Sequence, residues 1–211
     1  MIVESIAQFG AKNARSEVKF EDGSSFVLYN KELTKYGISE NKDIDSDTLA
    51  EITGVLYSRA LKRSGELLKS QDYTEKKLSD KLRTGGYPED VTAHVIKSLR
   101  EAHYVDDSLY AQHYIKYHIR DKSSKRIRND LISRGVTEDV IDEAYQSVIN
   151  DEEDSELLRD SECEQIRALL RKRRFDPETA DWNEKQKTMA FLYRKGYEGE
   201  NINLMMKQVE V

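Results

Sequence analysis

A chain of 211 residues with 35% charged side chains, two Pro, one Cys and a mean hydropathy of −0.78 reads as soluble and helix-rich, with little material for one large core. A net charge of −6 argues against a protein whose main task is coating nucleic acid, because phosphate neutralisation rewards an excess of cations. The lone Cys163 excludes an intrachain disulfide, no apolar run is long enough to span a bilayer, and the start Met1-Ile2-Val3-Glu4-Ser5 lacks the basic and apolar regions of a signal peptide, so the protein is expected in the cytoplasm.

Residues 1–45 form a small β-rich element. Glu17 to Glu21 and Ser25 to Tyr29 are β-rich runs on either side of Asp22-Gly23, a hairpin dipeptide, and Ile2 to Gly10 adds a further strand. So small a sheet is stable only when packed on helices. Ile38 to Asp45 reads as a polar connection.

Residues 46–105 make a first three-helix module. Ser46-Asp47-Thr48 caps its first helix, with Glu51 completing a capping box, and Ile52, Leu56, Ala60 and Leu67 mark the buried stripe as far as Lys69. A second helix starts near Thr74 and carries Leu78 and Leu82 inward. Pro88 opens a third, with Glu89 and Asp90 at the positive end of its dipole and Val91, Val95 and Leu99 on its apolar face.

Residues 106–149 repeat the plan. A helix capped by Asp106 or Asp107 buries Tyr110, Ala111, Tyr114, Ile115 and His118; the next spans Lys125 to Arg134 with Ile127 and Leu131 in the places of Leu78 and Leu82; the last follows Thr137 with Val140, Ile141, Ala144 and Val148. Residues 150–211 hold the third and most divergent module. Asn150 to Glu164 carries eight acidic residues against one Arg, as a solvated linker or the exposed first turns of a helix spanning Leu158 to Arg173. Cys163, Ile166 and Leu170 share one face, so the thiol reads as core. Asp176-Pro177 breaks that helix, Trp182 leads into the next, and Ile202, Met205, Met206 and Val209 give the final stripe.

One phrase closes the second helix of every module: Leu82 to Tyr87, Leu131 to Val136 and Leu192 to Tyr197, each a Leu, three residues, a Gly and an apolar residue. A Gly past a helix end turns left-handed without steric cost, and the apolar residue folds back on the last turn. The recurrence after 49 and then 61 residues marks three related modules.

No catalytic constellation emerges, and neither a metal nor a cofactor is expected. His113 and His118, five residues apart, lie on different faces of one helix. What remains is charge. Lys116, Arg120, Lys122, Lys125, Arg126, Arg128 and Arg134 stand against Asp121 and Asp130, and Arg171-Lys172-Arg173-Arg174 forms a second cluster, with Lys185, Lys187, Arg194 and Lys195 beyond it. Arg120, Lys125 and Arg128 fit one exposed ridge suited to phosphates or acidic protein surfaces, although abundant surface charge commonly serves solubility alone. Tyr110, Tyr114 and Tyr117 are either core or stacking platforms for bases.

Asp107 to Ile115, Lys125 to Leu131 and the Arg134-Gly135-Val136 turn, extended backwards through Tyr104 to Asp107 and forwards to Phe191 to Tyr197, resemble the RecX family of bacterial recombination regulators over roughly residues 48 to 211. Ser123-Ser124 stands where members often have Gly, and Asp130 where Glu is more usual. The resemblance implies a non-enzymatic, mainly α protein of three tandem three-helix modules in an elongated, curved arrangement, acting as a monomer. It further implies binding along the groove of a RecA filament on single-stranded DNA, with inhibition of ATP hydrolysis and strand exchange or a limit on filament growth. The partner-binding residues expected from the basic clusters are Lys116, Arg120, Lys122, Lys125, Arg126, Arg128, Arg134, Arg171, Arg173 and Arg174, with at most a weak or local contact to single-stranded DNA. A direct DNA-binding three-helix module protein and a helical scaffold for another protein are the alternatives.

Overall fold

The computed structural model describes residues 1–11 and 14–208, with the side chains of all of these except 152–155 and 208. Val209, expected on the last apolar stripe, lies outside the described residues. The chain divides into two compact units, Met1–Asp106 and Asp107–Val211.

The first unit opens with an antiparallel meander of β1 (Val3–Gln8), β2 (Arg15–Phe20) and β3 (Ser25–Tyr29). Val18 faces Ile6 on one side and Phe26 on the other, so β2 is central. The hairpin turns at Asp22-Gly23, where Gly23 has a φ of 83° and Asp22 accepts from the Ser24 N–H at 2.9 Å. Val3, Val18, Phe20, Phe26 and Leu28 enter one core with Ile52, Leu56, Leu78, Leu82, Val95 and Leu99, so the sheet and the first module bury each other's apolar faces.

A helix that the sequence reading left out follows β3 directly: α1 (Asn30–Tyr36). It is closed by Leu33 to Ile38, another Leu, three residues, Gly and apolar residue. Gly37 has a φ of 60° and the Ile38 N–H reaches the Leu33 carbonyl at 2.8 Å. The β-rich neighbourhood hid a phrase identical in kind to the three that were read.

α2 (Ser46–Leu68) packs on α4 (Glu89–Glu101), with α3 (Glu75–Thr84) against both. The cap of α2 is Asp45 rather than Ser46, because the Asp45 carboxylate accepts from both the Thr48 N–H (2.8 Å) and hydroxyl (2.9 Å). Thr74 caps α3 as expected, and Pro88 sits at the N-cap of α4.

The second unit holds α5 (Asp107–His118), α6 (Ser124–Ser133) and α7 (Glu138–Ile149), then α8 (Glu152–Arg173), α9 (Trp182–Lys195) and α10 (Gly199–Gln208). First and third helices pair in each module, α5 with α7 and α8 with α10, and α7 also packs on α8. The acidic stretch is helical from Glu152, six residues before the expected start at Leu158. Cys163 is buried with Ile166, Leu170, Leu192 and Ile202.

All three Gly turns close as expected. Gly86, Gly135 and Gly196 have φ of 87°, 91° and 90°, and the following residue donates back to the Leu carbonyl at 3.2 to 3.4 Å. Two further helices close the same way without Gly: His103 (φ 56°) and Arg174 (φ 55°) turn left-handed while Tyr104 and Phe175 donate to Leu99 and Leu170.

Candidate functional site

The Gly196 turn is a docking point. A Cβ added at Gly196 would stand 2.2 Å from the Lys125 Cβ, so the turn lies directly against the first turn of α6. Ser123, the N-cap residue of α6, makes no capping hydrogen bond; its hydroxyl donates to the Lys195 carbonyl at 2.7 Å. Gln165 of α8 donates to the Ile119 carbonyl at 3.0 Å and accepts from the Tyr197 hydroxyl at 3.3 Å. The second and third modules are thus stitched together at the start of α6.

A cleft of about 280 Å³ opens along this seam. Lys122, Lys125, Arg126, Arg194 and Lys195 line it against one carboxylate, Asp121. Among the described residues Lys125, Arg126 and Arg194 are exposed and form no ion pair, which leaves their charge available to an anionic ligand.

The expected cationic ridge divides into members that face outward and members that hold the fold. Lys122 donates to Asp130 at 2.7 Å and to the Tyr114 hydroxyl at 2.9 Å. Partial burial works against its charge, yet these hydrogen bonds leave its pKa above the ordinary lysine value. The same bond from Lys122 holds the Asp130 carboxyl below the usual carboxylate range against burial, and Tyr114 adds to it. Arg128 pairs with Asp142 and lies over the Tyr145 ring at 4.7 Å. Arg134 lies over Tyr114 at 4.8 Å and donates to the Tyr110 hydroxyl at 3.2 Å. Lys116 and Arg120 are exposed near the end of α5.

The second basic cluster reaches the same region through one ring. Arg173 lies over Phe191 at 4.5 Å and Lys195 lies over the same ring at 5.2 Å, while Arg171 and Arg174 are exposed beside them. Phe191 therefore links Arg173 at the end of α8 to Lys195, which lines the cleft with Lys122, Lys125 and Arg126. Arg194 and Lys195 lay outside the expected contact set, although they sit inside the Gly phrase that places them in the cleft.

The tyrosines separate in the same way. Tyr110 and Tyr114 stack with ring centroids 6.2 Å apart within the Lys122, Asp130 and Arg134 network, whereas Tyr117 is 79% exposed. His118 packs on Tyr114 at 4.2 Å, and burial followed by the Lys122 charge lowers its pKa. Tyr145 donates to the Ser124 carbonyl at 3.1 Å, and burial pushes its hydroxyl up to about 12. On α8, burial raises the pKa of Glu162, whose Oε2 accepts from Asn201 while Oε1 has no partner.

Among the described residues no helix is long and apolar enough to cross a membrane. Family models for the first, second and third three-helix domains of RecX match residues 58–99, 106–144 and 160–204. The regulatory protein RecX of Clostridium acetobutylicum is 27% identical across 94% of this chain and 91% of its own length, and that of Caldanaerobacter subterraneus subsp. tengcongensis is 27% identical across 90% and 91%. Among solved structures, a regulatory protein RecX superposes with a TM-score of 0.64 at 22% identity over 98% of this chain and 99% of that one. RecX from Lactobacillus salivarius gives 0.61 at 20% identity over 74% and 97%. These structural likenesses are likenesses of fold.

Proposed function

The chain belongs to the RecX family, and on that premise we propose that it is a regulatory protein that binds the RecA filament on single-stranded DNA and inhibits its ATPase and strand-exchange activities. It acts in the cytoplasm as a monomer, by binding rather than by catalysis. The observation that carries this reading is the seam between the second and third modules, where five cations from α6, its preceding loop and the end of α9 line one cleft against a single carboxylate. A helical polymer of recombinase and DNA offers repeated anionic sites, so several modules on one chain can engage it with avidity. Arg128, Lys122 and Arg134 belong to this reading as supports of α6, and Lys125, Arg126 and Arg194 as the contact residues.

The test is the single-stranded-DNA-dependent ATPase rate of the cognate RecA as the protein is titrated in, with DNA binding of the protein alone followed in the same buffer. Inhibition at well below one molecule per recombinase subunit, with feeble binding to naked DNA, is the expected result. The variant K125E/R126E/R194E should raise the half-inhibitory concentration about tenfold, equivalent to ~1.4 kcal/mol, at unchanged helical content. An unaffected ATPase together with tight, salt-sensitive DNA binding would replace this reading with that of a direct DNA-binding protein.

A further inference from the structure

A second cationic cleft lies wholly within the first unit, and the expected contact residues include none of its members. Its volume is about 900 Å³, at the upper end of ligand clefts (about 300–1,000 Å³). Arg59, Lys62 and Arg63 of α2 form one wall, spaced i, i+3 and i+4 so that they share a helix face. Lys81 of α3 and Arg15 of β2 complete a set of five cations from three elements, against the carboxylate of Glu66, which is paired with Arg63 at 3.5 Å. The floor is apolar and aromatic, with Val27, Tyr29 and Tyr87.

The cleft is held open by its own architecture. The Gly86 turn seats on β3, where the Val27 N–H donates to the Gly86 carbonyl at 3.0 Å and an added Cβ at Gly86 would stand 2.2 Å from the Val27 Cγ2. Arg59 is clamped between Glu32 of α1, with which it pairs, and the Tyr29 ring, 4.7 Å beneath its guanidinium. Its position is therefore set before any ligand arrives, which removes part of the ordering cost of binding. Lys62 and Lys81 are exposed and, among the described residues, form no ion pair.

We propose that this cleft between β3, α2 and α3 is a binding site for single-stranded nucleic acid, with the five cations following the phosphates and the Tyr29 and Tyr87 rings meeting unstacked bases. Arg15, Lys62 and Lys81, which among the described residues form no ion pair, already exceed what one carboxylate or one phosphate requires, whereas a phosphodiester chain presents a charge at every nucleotide. Tyr29 is 44% exposed and Tyr87 half-buried at the same cleft, and rings stack on bases that are unpaired and splayed, the state of a single strand. An acidic protein segment would satisfy the cations but offer no flat group to the Tyr29 and Tyr87 rings.

The test uses the full chain without recombinase and reads an affinity for naked oligonucleotide that is feeble beside filament binding, so its failure leaves the ATPase result standing and the failure of either reading is distinguishable. Binding of a fluorescein-labelled oligothymidylate of about 12 nucleotides is measured by anisotropy over a salt series, beside an abasic oligomer of equal length. K62E/K81E, two exposed positions whose reversal leaves the fold intact by circular dichroism, should weaken both oligomers about five- to tenfold and flatten the log–log salt slope by about 1.4. Tyr87→Leu, which leaves the clamp on Arg59 in place, should weaken the base-bearing oligomer and spare the abasic one. Parent-like oligonucleotide affinity in K62E/K81E would overturn the proposal, and so would a loss confined to a polyglutamate probe, which would assign the cleft to an acidic protein.

Discussion

The two cationic clefts are made by one device and end differently. In each, the Gly turn that closes the second helix of a module is pressed against an element from earlier in the chain, and the groove beside that contact is lined by five cations and one carboxylate. In the first unit the turn meets β3, so the seat includes a backbone hydrogen bond and a β-branched side chain, and strand residues supply an aromatic floor. In the second unit the turn meets the first turn of α6, so the seat is a lysine stem and a serine hydroxyl and the lining is almost wholly polar. The repeated phrase secures the docking. What it docks onto decides how much apolar and aromatic surface flanks the cations: Val27, Tyr29 and Tyr87 in the first cleft, Tyr197 in the second.

Valine at the two turns measures the difference between the seats. Both positions are left-handed, where a β-branched residue is badly strained, and both meet a neighbour at 2.2 Å. Gly86→Val also displaces Val27 from its backbone hydrogen bond, so it should cost ~4 kcal/mol or more, and Gly196→Val ~3 kcal/mol, read as loss of Tm by circular dichroism. Equal losses would show that dihedral strain, not the seat, sets the cost.

Alkaline titration should sharpen the contrast, because the wall of the second cleft leans on a buried phenol. Tyr145 is pushed up to about 12 by burial and supports α6 through the Ser124 carbonyl. Its raised pKa means that the stability attached to its neutral form is complete below the ordinary tyrosine value of about 10 and is lost as pH rises from there through about 12, a difference of ~3 kcal/mol. The parent should therefore lose more Tm than Tyr145→Phe between those pH values. Parallel losses would remove Tyr145 from this role.

The smallest expected effect is at Glu162. Burial raises its pKa and one carboxylate oxygen has no partner, so the stability attached to its neutral form is present below the ordinary glutamate value and lost as pH rises through its raised one. Glu162→Gln should stabilise the protein at neutral pH by ~1 kcal/mol, with no gain at pH 4. A Tm unchanged at both pH values would show that the carboxylate is solvated.

Helix periodicity was legible where one apolar stripe met one core: Leu78 and Leu82, Ile127 and Leu131, Ile166 and Leu170 are all buried as their spacing requires. α1 was missed because seven residues carry too little periodicity, although Leu33 to Ile38 held the closing phrase. Asp45 was missed as a cap because Ser46 stood beside it with equal propensity. In the basic segment, spacing assigned Arg128 to the open ridge, and only its partners Asp142 and Tyr145, from another helix, reveal it as a support.

By itself the sequence determined the modules, their helices and the left-handed turns that end them, because apolar spacing and the absence of a Cβ act within a few residues of the chain. The tertiary structure alone decided which cations were spent on carboxylates and rings, and which were left facing a groove. Charge is a property of one residue, but its availability depends on what the fold places within about 4 Å of it, and that neighbour can be any residue in the chain.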